Sequence, residues 1–404
     1  MTTFSTTKKL KVLKFDAFYP NSYFEKLKAI DEKKIASMNY EEYYDWMISQ
    51  RMYLSDYFTY HMRQEGWQAK EFIAHDTLLM KKLIRNGEIK KIGIWYRFLF
   101  LIKFVFSVPI KDLFRPPILK PIWRKELKQW LIDKYIESYN PDVLFIREPS
   151  QIDGRFFDKY KKSKLIVTLI GCNTSHAHRW YAHRNDLIFT IFPSYYDFFL
   201  SQNIKSQLVE YGVDERISRE IVSPSKIYDC TFVGLLGDPV QSEKTLLMES
   251  IANSDINFKW WGVKGININK YPALVNTWHG ETSGKEMLEI YKSSKIVIND
   301  FVDTAREESK TNIRLKEVMS VGSFILSRNS KNLTALENSG ALRTFNSTDD
   351  CIAKIKHYLA NEQEREKIAD TGLKYAVEHF NYRDIVRNMM TTISQSYERK
   401  FSSI

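Results

Sequence analysis

Short runs rich in β-branched and aromatic residues recur along the chain, each followed by a stretch of helical periodicity. This alternation constrains the fold more than any other feature. The runs are LKVLKFDAF (10–18), DVLFIRE (142–148), KLIVTLIG (164–171), DLIFTIF (186–192), CTFVG (230–234), FKWWG (258–262), KIVIND (295–300) and SFILS (323–327). Several are continuously apolar, which suits strands buried on both faces of a parallel sheet. Patterns such as EKTLLMESIAN and GKEMLEIYKSS lie between them and read as helices. Alternating strands and helices imply a doubly wound α/β architecture.

A chain of 404 residues exceeds what one core usually serves. The runs fall into two sets, separated by YGVDERISREIVSPSKIYD (211–229), which holds no strong strand. The expected units are 1–223, 224–385 and a last helix, 386–404. Residues 20–135 differ from the rest, being long, helical in pattern and aromatic, and read as a helical insertion after the first strand.

Hydrophobic residues make up 44% and charged residues 27%, a globular balance. Cys172, Cys230 and Cys351 form no CxxC pair, which argues against a disulfide framework or a zinc site and for a reducing compartment. No apolar stretch follows the basic residues at the N-terminus, so no signal peptide is expected and the cytoplasm is. The net charge of +11 favours anionic partners: nucleic acid, acidic lipid or phosphorylated small molecules. No zinc finger or aromatic ribonucleoprotein motif supports nucleic acid.

The segment KTNIRLKEVMSVGSFILS (310–327) concentrates the chemistry. Thr311 or Asn312 suits an N-cap and Gly322 a C-terminal stop, giving a short helix over about 313–320. Leu315, Val318 and Met319 form its apolar face. Its N-terminus falls at the C-terminal edge of a parallel sheet, where free amides and the helix dipole favour an anion. Lys310 lies just before it. Arg314 offers a planar fork suited to a diphosphate, and Glu317, one turn on, could accept from two ribose hydroxyls. The same spacing also fits an ordinary i,i+3 ion pair on a solvated helix.

The order Asn312, Arg314, Glu317, Gly322 and a hydrophobic strand resembles the signature of bacterial group 1 type glycosyltransferases, specifically the subgroup related to the spore-maturation protein CgeB. CTFVGLLGD, HGETSGKEMLEIYKSSKIVIND and FNSTDDCIAKIKHYLANEQEREKIADTGLKYAVEHFNYRDIV continue the resemblance in order. FYPNSYFEKL, YNPDVLFIREPS and NDLIFTIFPSYYDFF extend it more weakly over most of the N-terminal half. It implies the GT-B fold: two Rossmann-like domains facing across a cleft, the nucleotide sugar in the C-terminal one, the acceptor in the N-terminal one, and a last helix crossing back. It also implies retention at the anomeric carbon. One departure concerns the donor sugar: eight residues before Glu317, where many group 1 enzymes carry a second glutamate, stands Ser309.

Under that resemblance Gly234 and Gly237 in FVGLLGD bring bare backbone to a diphosphate, with Lys244 adding charge; otherwise they make a tight turn. There is no GxGxxG fingerprint and no P-loop. In IGCNTSHAHRWYAHRND (170–186), His176 is the candidate for a sugar hydroxyl or a proton, Asn173 lies in the same loop, and a surface role is open for each of them. Asn21 and Tyr23 follow the first strand; Asn21 suits a helix cap, and both would approach donor or acceptor in the resembled fold. No DxD triplet is present, so Arg314 and the helix N-terminus stand in for a cation and no metal cofactor is expected. GIWYRFLFLIKFVFSVPIKDLFRPPILKPIWRKELKQW (93–130) mixes aromatic, apolar and basic residues, which suits either a membrane interface or a buried helix. The reading is a glycosyltransferase using a nucleoside diphosphate sugar on a glycan, lipid-linked or other cell-surface acceptor. The alternatives are a nucleotide-sugar epimerase of the same fold and a non-catalytic glycan- or membrane-binding module.

Overall fold

The computed structural model describes residues 9–16, 21–52, 55–73, 76–85, 120–147, 152, 154–171, 182–222, 225–302 and 313–402. Two parallel sheets organise them. The first holds β1 (Lys11–Asp16), β2 (Gln68–Ile73), β3 (Val143–Ile146), β4 (Leu165–Ile170), β5 (Leu187–Thr190) and β6 (Ser206–Leu208), in spatial order β2-β1-β3-β4-β5-β6. The second holds β7 (Tyr228–Val233), β8 (Phe258–Trp261), β9 (Ser294–Asn299), β10 (Phe324–Arg328) and β11 (Arg343–Phe345), in order β11-β10-β9-β7-β8. The apolar runs account for the central strands: all six residues of β4 are buried, as both-face burial requires.

In each sheet the order reverses beside its first strand, between β1 and β3 and between β7 and β9. Doubly wound sheets open a crevice at that point, at the C-terminal ends of the strands. The architecture is GT-B: two Rossmann-like domains facing each other.

The helices that matter below are α1 (Asn21–Ile30), α2 (Tyr40–Ser49), α3 (Tyr57–Gln64), α4 (Lys120–Tyr139), α5 (Glu215–Glu220), α6 (Ser242–Ala252), α7 (Gly284–Lys292), α8 (Ile313–Ser320) and α9 (Tyr382–Phe401). Residues 20–135 are not wholly helical. They include β2, the edge strand beside β1 in parallel register, Lys11 opposite Gln68. Its sequence QAKEFI places Lys70 and Glu71 mid-strand, which hid it among helical neighbours. Glu71 is nonetheless buried, in a cluster at the C-terminal end of β1 with Lys14, Asp16 and Arg147.

The two domains are joined by paired crossings. Val213 N–H donates to Phe380 O at 2.6 Å, and Tyr382 N–H to Val213 O at 3.0 Å. α9 then runs back over the first domain. Tyr382 stacks on Tyr57 with ring centroids 5.4 Å apart, Tyr397 reaches Asp142 and Lys400 reaches Asp186. Charged pairs tie the same region: Arg216 to Asp56 at 2.9 Å and Arg51 to Glu220 at 2.5 Å. Among the described residues no helix is long and apolar enough to cross a membrane.

Candidate functional site

The C-terminal ends of β7 and β9 carry the candidate site. β7 delivers Phe232 and then Gly234; β9 ends in Asn299, followed by Asp300; α8 presents Arg314 from its first turn. Leu315, Val318 and Met319 are 2%, 0% and 0% exposed and fix the helix against the sheet. That seat turns Arg314 across the strand ends. Its Nη1 donates to Asn299 Oδ1 at 3.0 Å, and its guanidinium lies 4.9 Å from the Phe232 ring centre. The guanidinium therefore spans the β7/β9 switch point.

Gly234 makes room for this. A Cβ there would stand 3.0 Å from Arg314 Nη2 and 2.9 Å from the Phe232 ring, so a side chain would displace the fork. Lys244, buried on α6, holds its ammonium 5.9 Å from the centre of the same ring. Gly234, Lys244 and Arg314 thus converge. Gly237 does a different job: its backbone N–H donates to Thr245 Oγ1 at 3.0 Å, and a Cβ would strike Ile268 backbone at 2.7 Å. It closes the turn after β7 against the 265–268 loop.

Glu317 does not pair with Arg314. The two are not within ion-pair distance, and Arg314 has no carboxylate partner among the described residues. The Glu317 side chain lines a narrow crevice of about 10 Å³, room for one water, with Arg51, Tyr57, Ile217, Met287 and Tyr382. Burial pushes its carboxyl up to about 7, an effect the Arg314 charge only partly offsets.

Tyr23 is buried, and its hydroxyl donates to Glu286 Oε2 at 2.5 Å on α7, across the cleft. Thr282 Oγ1 donates to the same oxygen at 3.0 Å. Burial first, then the Glu286 carboxylate, raise the phenol well above its usual range. Tyr23 therefore bridges the domains. Asn21 opens α1. Asn173, His176, Lys310, Thr311 and Asn312, together with 93–119, lie outside the described residues; Lys120 onward forms α4.

Three contributors escaped the reading of the sequence: Phe232, Asn299 and Arg51. Asn299 did leave a signal, a polar side chain ending the otherwise apolar KIVI run. Arg51 left none, because its proximity to Glu317 comes only from domain packing.

A family model described as glycosyl transferase-like matches residues 243–391, most of the C-terminal domain. No curated protein sequence matches the chain. Several solved structures share its fold. Anabaena HepE in complex with UDP and glucose is 13% identical, covers 96% of this chain and 100% of its own, and superposes with a TM-score of 0.53. A sucrose-phosphate synthase from Thermosynechococcus elongatus is 9% identical over 98% of this chain and 100% of its own, TM-score 0.54. A glycosyltransferase from Rickettsia africae is 13% identical over 96% of this chain and 99% of its own, TM-score 0.51.

Proposed function

We propose that this protein transfers a sugar from a nucleoside diphosphate donor to an acceptor hydroxyl, as a group 1 type glycosyltransferase of the CgeB-related subgroup. The observation that carries this reading is Arg314: a guanidinium fixed across the switch point of the second sheet, beside bare backbone at Gly234, with no carboxylate paired to it among the described residues. That is the provision an anionic leaving group needs. The glycosyl transferase-like match over 243–391 supports it, as does fold kinship with HepE, a structure holding UDP and glucose.

In this reading the diphosphate lies against Arg314, the backbone of 310–313 and Gly234, with Lys244 and Gly237 behind it. Glu317 accepts from the ribose. His176 meets the donor sugar or the acceptor hydroxyl, and Asn21 and Asn173 border the acceptor. As the glycosidic bond breaks, negative charge grows on the departing nucleotide, and a preorganised cation stabilises it more than the ground state. Cations of the protein take this role, so transfer proceeds without a divalent metal, and with retention at the anomeric carbon. The acceptor is a glycan or lipid-linked molecule of the cell surface, met at the inner face of the membrane by 93–130.

The test is nucleotide release. Wild-type protein is incubated with UDP-, GDP-, ADP- and dTDP-hexoses without acceptor, and slow hydrolysis is followed. Release from one donor, undiminished by EDTA, and reduced roughly 10²–10³-fold in Arg314→Ala, is the expected result. Isomerisation of the sugar without release would identify an epimerase. Loss of release on chelation, restored by magnesium or manganese, would overturn metal independence.

A further inference from the structure

We propose that Asn299 is a positioning residue that aims Arg314 while leaving its charge available to the diphosphate. This rests on the reading of the site just given. Two arginines reach the same strand end, and two adjacent residues receive them differently. Arg328 Nε and Nη2 donate to the two oxygens of Asp300 at 2.7 and 2.8 Å, a bidentate ion pair that cancels the charge. Arg314 donates to Asn299 Oδ1 at 3.0 Å, a neutral acceptor that orients the fork and cancels nothing.

The amide is held in that sense by its other end. Asn299 Nδ2 donates to Ser327 Oγ at 2.9 Å, and Ser327 Oγ donates its single proton to Arg328 O at 3.1 Å. A hydroxyl that has given away its proton can only accept from Asn299. The NH₂ group therefore faces Ser327 and the carbonyl oxygen faces Arg314. Asn299 and Ser327 are both fully buried, so water does not compete for either bond. Asp300 is kept from Arg314, because Arg328 and the Phe301 N–H occupy it. An aspartate at 299 would fit the same space, pair with Arg314 and remove the charge the site depends on.

The experiment is calorimetry of full-length protein against UDP, GDP, ADP and dTDP, using whichever binds tightest. The variants are Arg314→Ala, Asn299→Ala, Asn299→Asp and Ser327→Ala. Asn299→Asp should weaken binding by about tenfold or more, and by more than Asn299→Ala, since it neutralises Arg314 rather than only loosening it. Its affinity should also depend less on salt than that of the wild type. Wild-type affinity in Asn299→Asp, alongside a clear loss in Arg314→Ala, would overturn the proposal and leave the site standing. Equal losses in the alanine and aspartate variants would reduce Asn299 to packing and also overturn it. If Asn299→Asp fails to fold, Ser327→Ala decides: a severalfold loss with an unchanged melting temperature supports the orienting chain, and wild-type affinity contradicts it. If Arg314→Ala binds as the wild type does, the site reading itself fails, and the proposal with it.

Discussion

Glu317 shows what the fold does to one side chain. Spacing on the helix allowed an Arg–Glu pair, and tertiary structure broke it: Arg314 turned to Asn299 and Glu317 to the crevice at the hinge. With its carboxyl pushed up to about 7, Glu317 is largely protonated below neutrality. If its carboxylate accepts from ribose hydroxyls, nucleotide affinity should fall as pH drops from 8 to 6, and Glu317→Gln should flatten that dependence. Calorimetry at three pH values checks both. The sign for folding is opposite. The group binds its proton more tightly folded than unfolded, so its contribution to stability is fully present below the ordinary 4.5 and is lost as pH rises through about 7. Glu317→Gln should therefore melt no lower than wild type at pH 8, and its advantage should vanish at pH 5.

At the scale of elements, the buried strands and α8 were legible because burial on both faces writes itself as continuous apolar sequence. β2, β6 and β11 were not. β6 and β11 span only Ser206–Leu208 and Arg343–Phe345, too short for a period, and β2 mixes charge into an edge. For the candidate site, the sequence points only to the one segment that carries Arg314 and Glu317. The site was hidden where three segments meet, as at Asn299, Phe232 and Arg51. The docking of α7 on α2 is a further contact that only three dimensions supply. Lys285 N–H, at the start of α7, donates to Gln50 O, just past the end of α2, at 2.7 Å. Gly284 permits this with φ +58°, and a Cβ there would stand 2.3 Å from Gln50 O. Gly284→Ala should cost about 1–3 kcal/mol, through strain and loss of the contact, and chemical denaturation should show it.

Across the whole molecule, the hinge is a packed structure in its own right. The crossings at 213 and 380–382 pair as a parallel bridge, and α9 closes one continuous core that includes residues from both sheets. Tyr382 is 1% exposed between Tyr57, Phe58 and the crevice below Glu317. Tyr382→Ala should cost about 3–5 kcal/mol in thermal unfolding, and one transition for both domains should accompany it. Because the crevice and the hinge share residues, nucleotide binding and domain packing are expected to be coupled. The central claim is that α8 and the ends of β7 and β9 form a nucleoside diphosphate site. Calorimetry of wild type, Arg314→Ala and Glu317→Ala against UDP, GDP, ADP, CMP and dTDP tests it most directly. One nucleoside diphosphate should bind the wild type, and both variants should lose it while remaining folded. Binding by none of the five, or equal binding by the variants, would contradict the account.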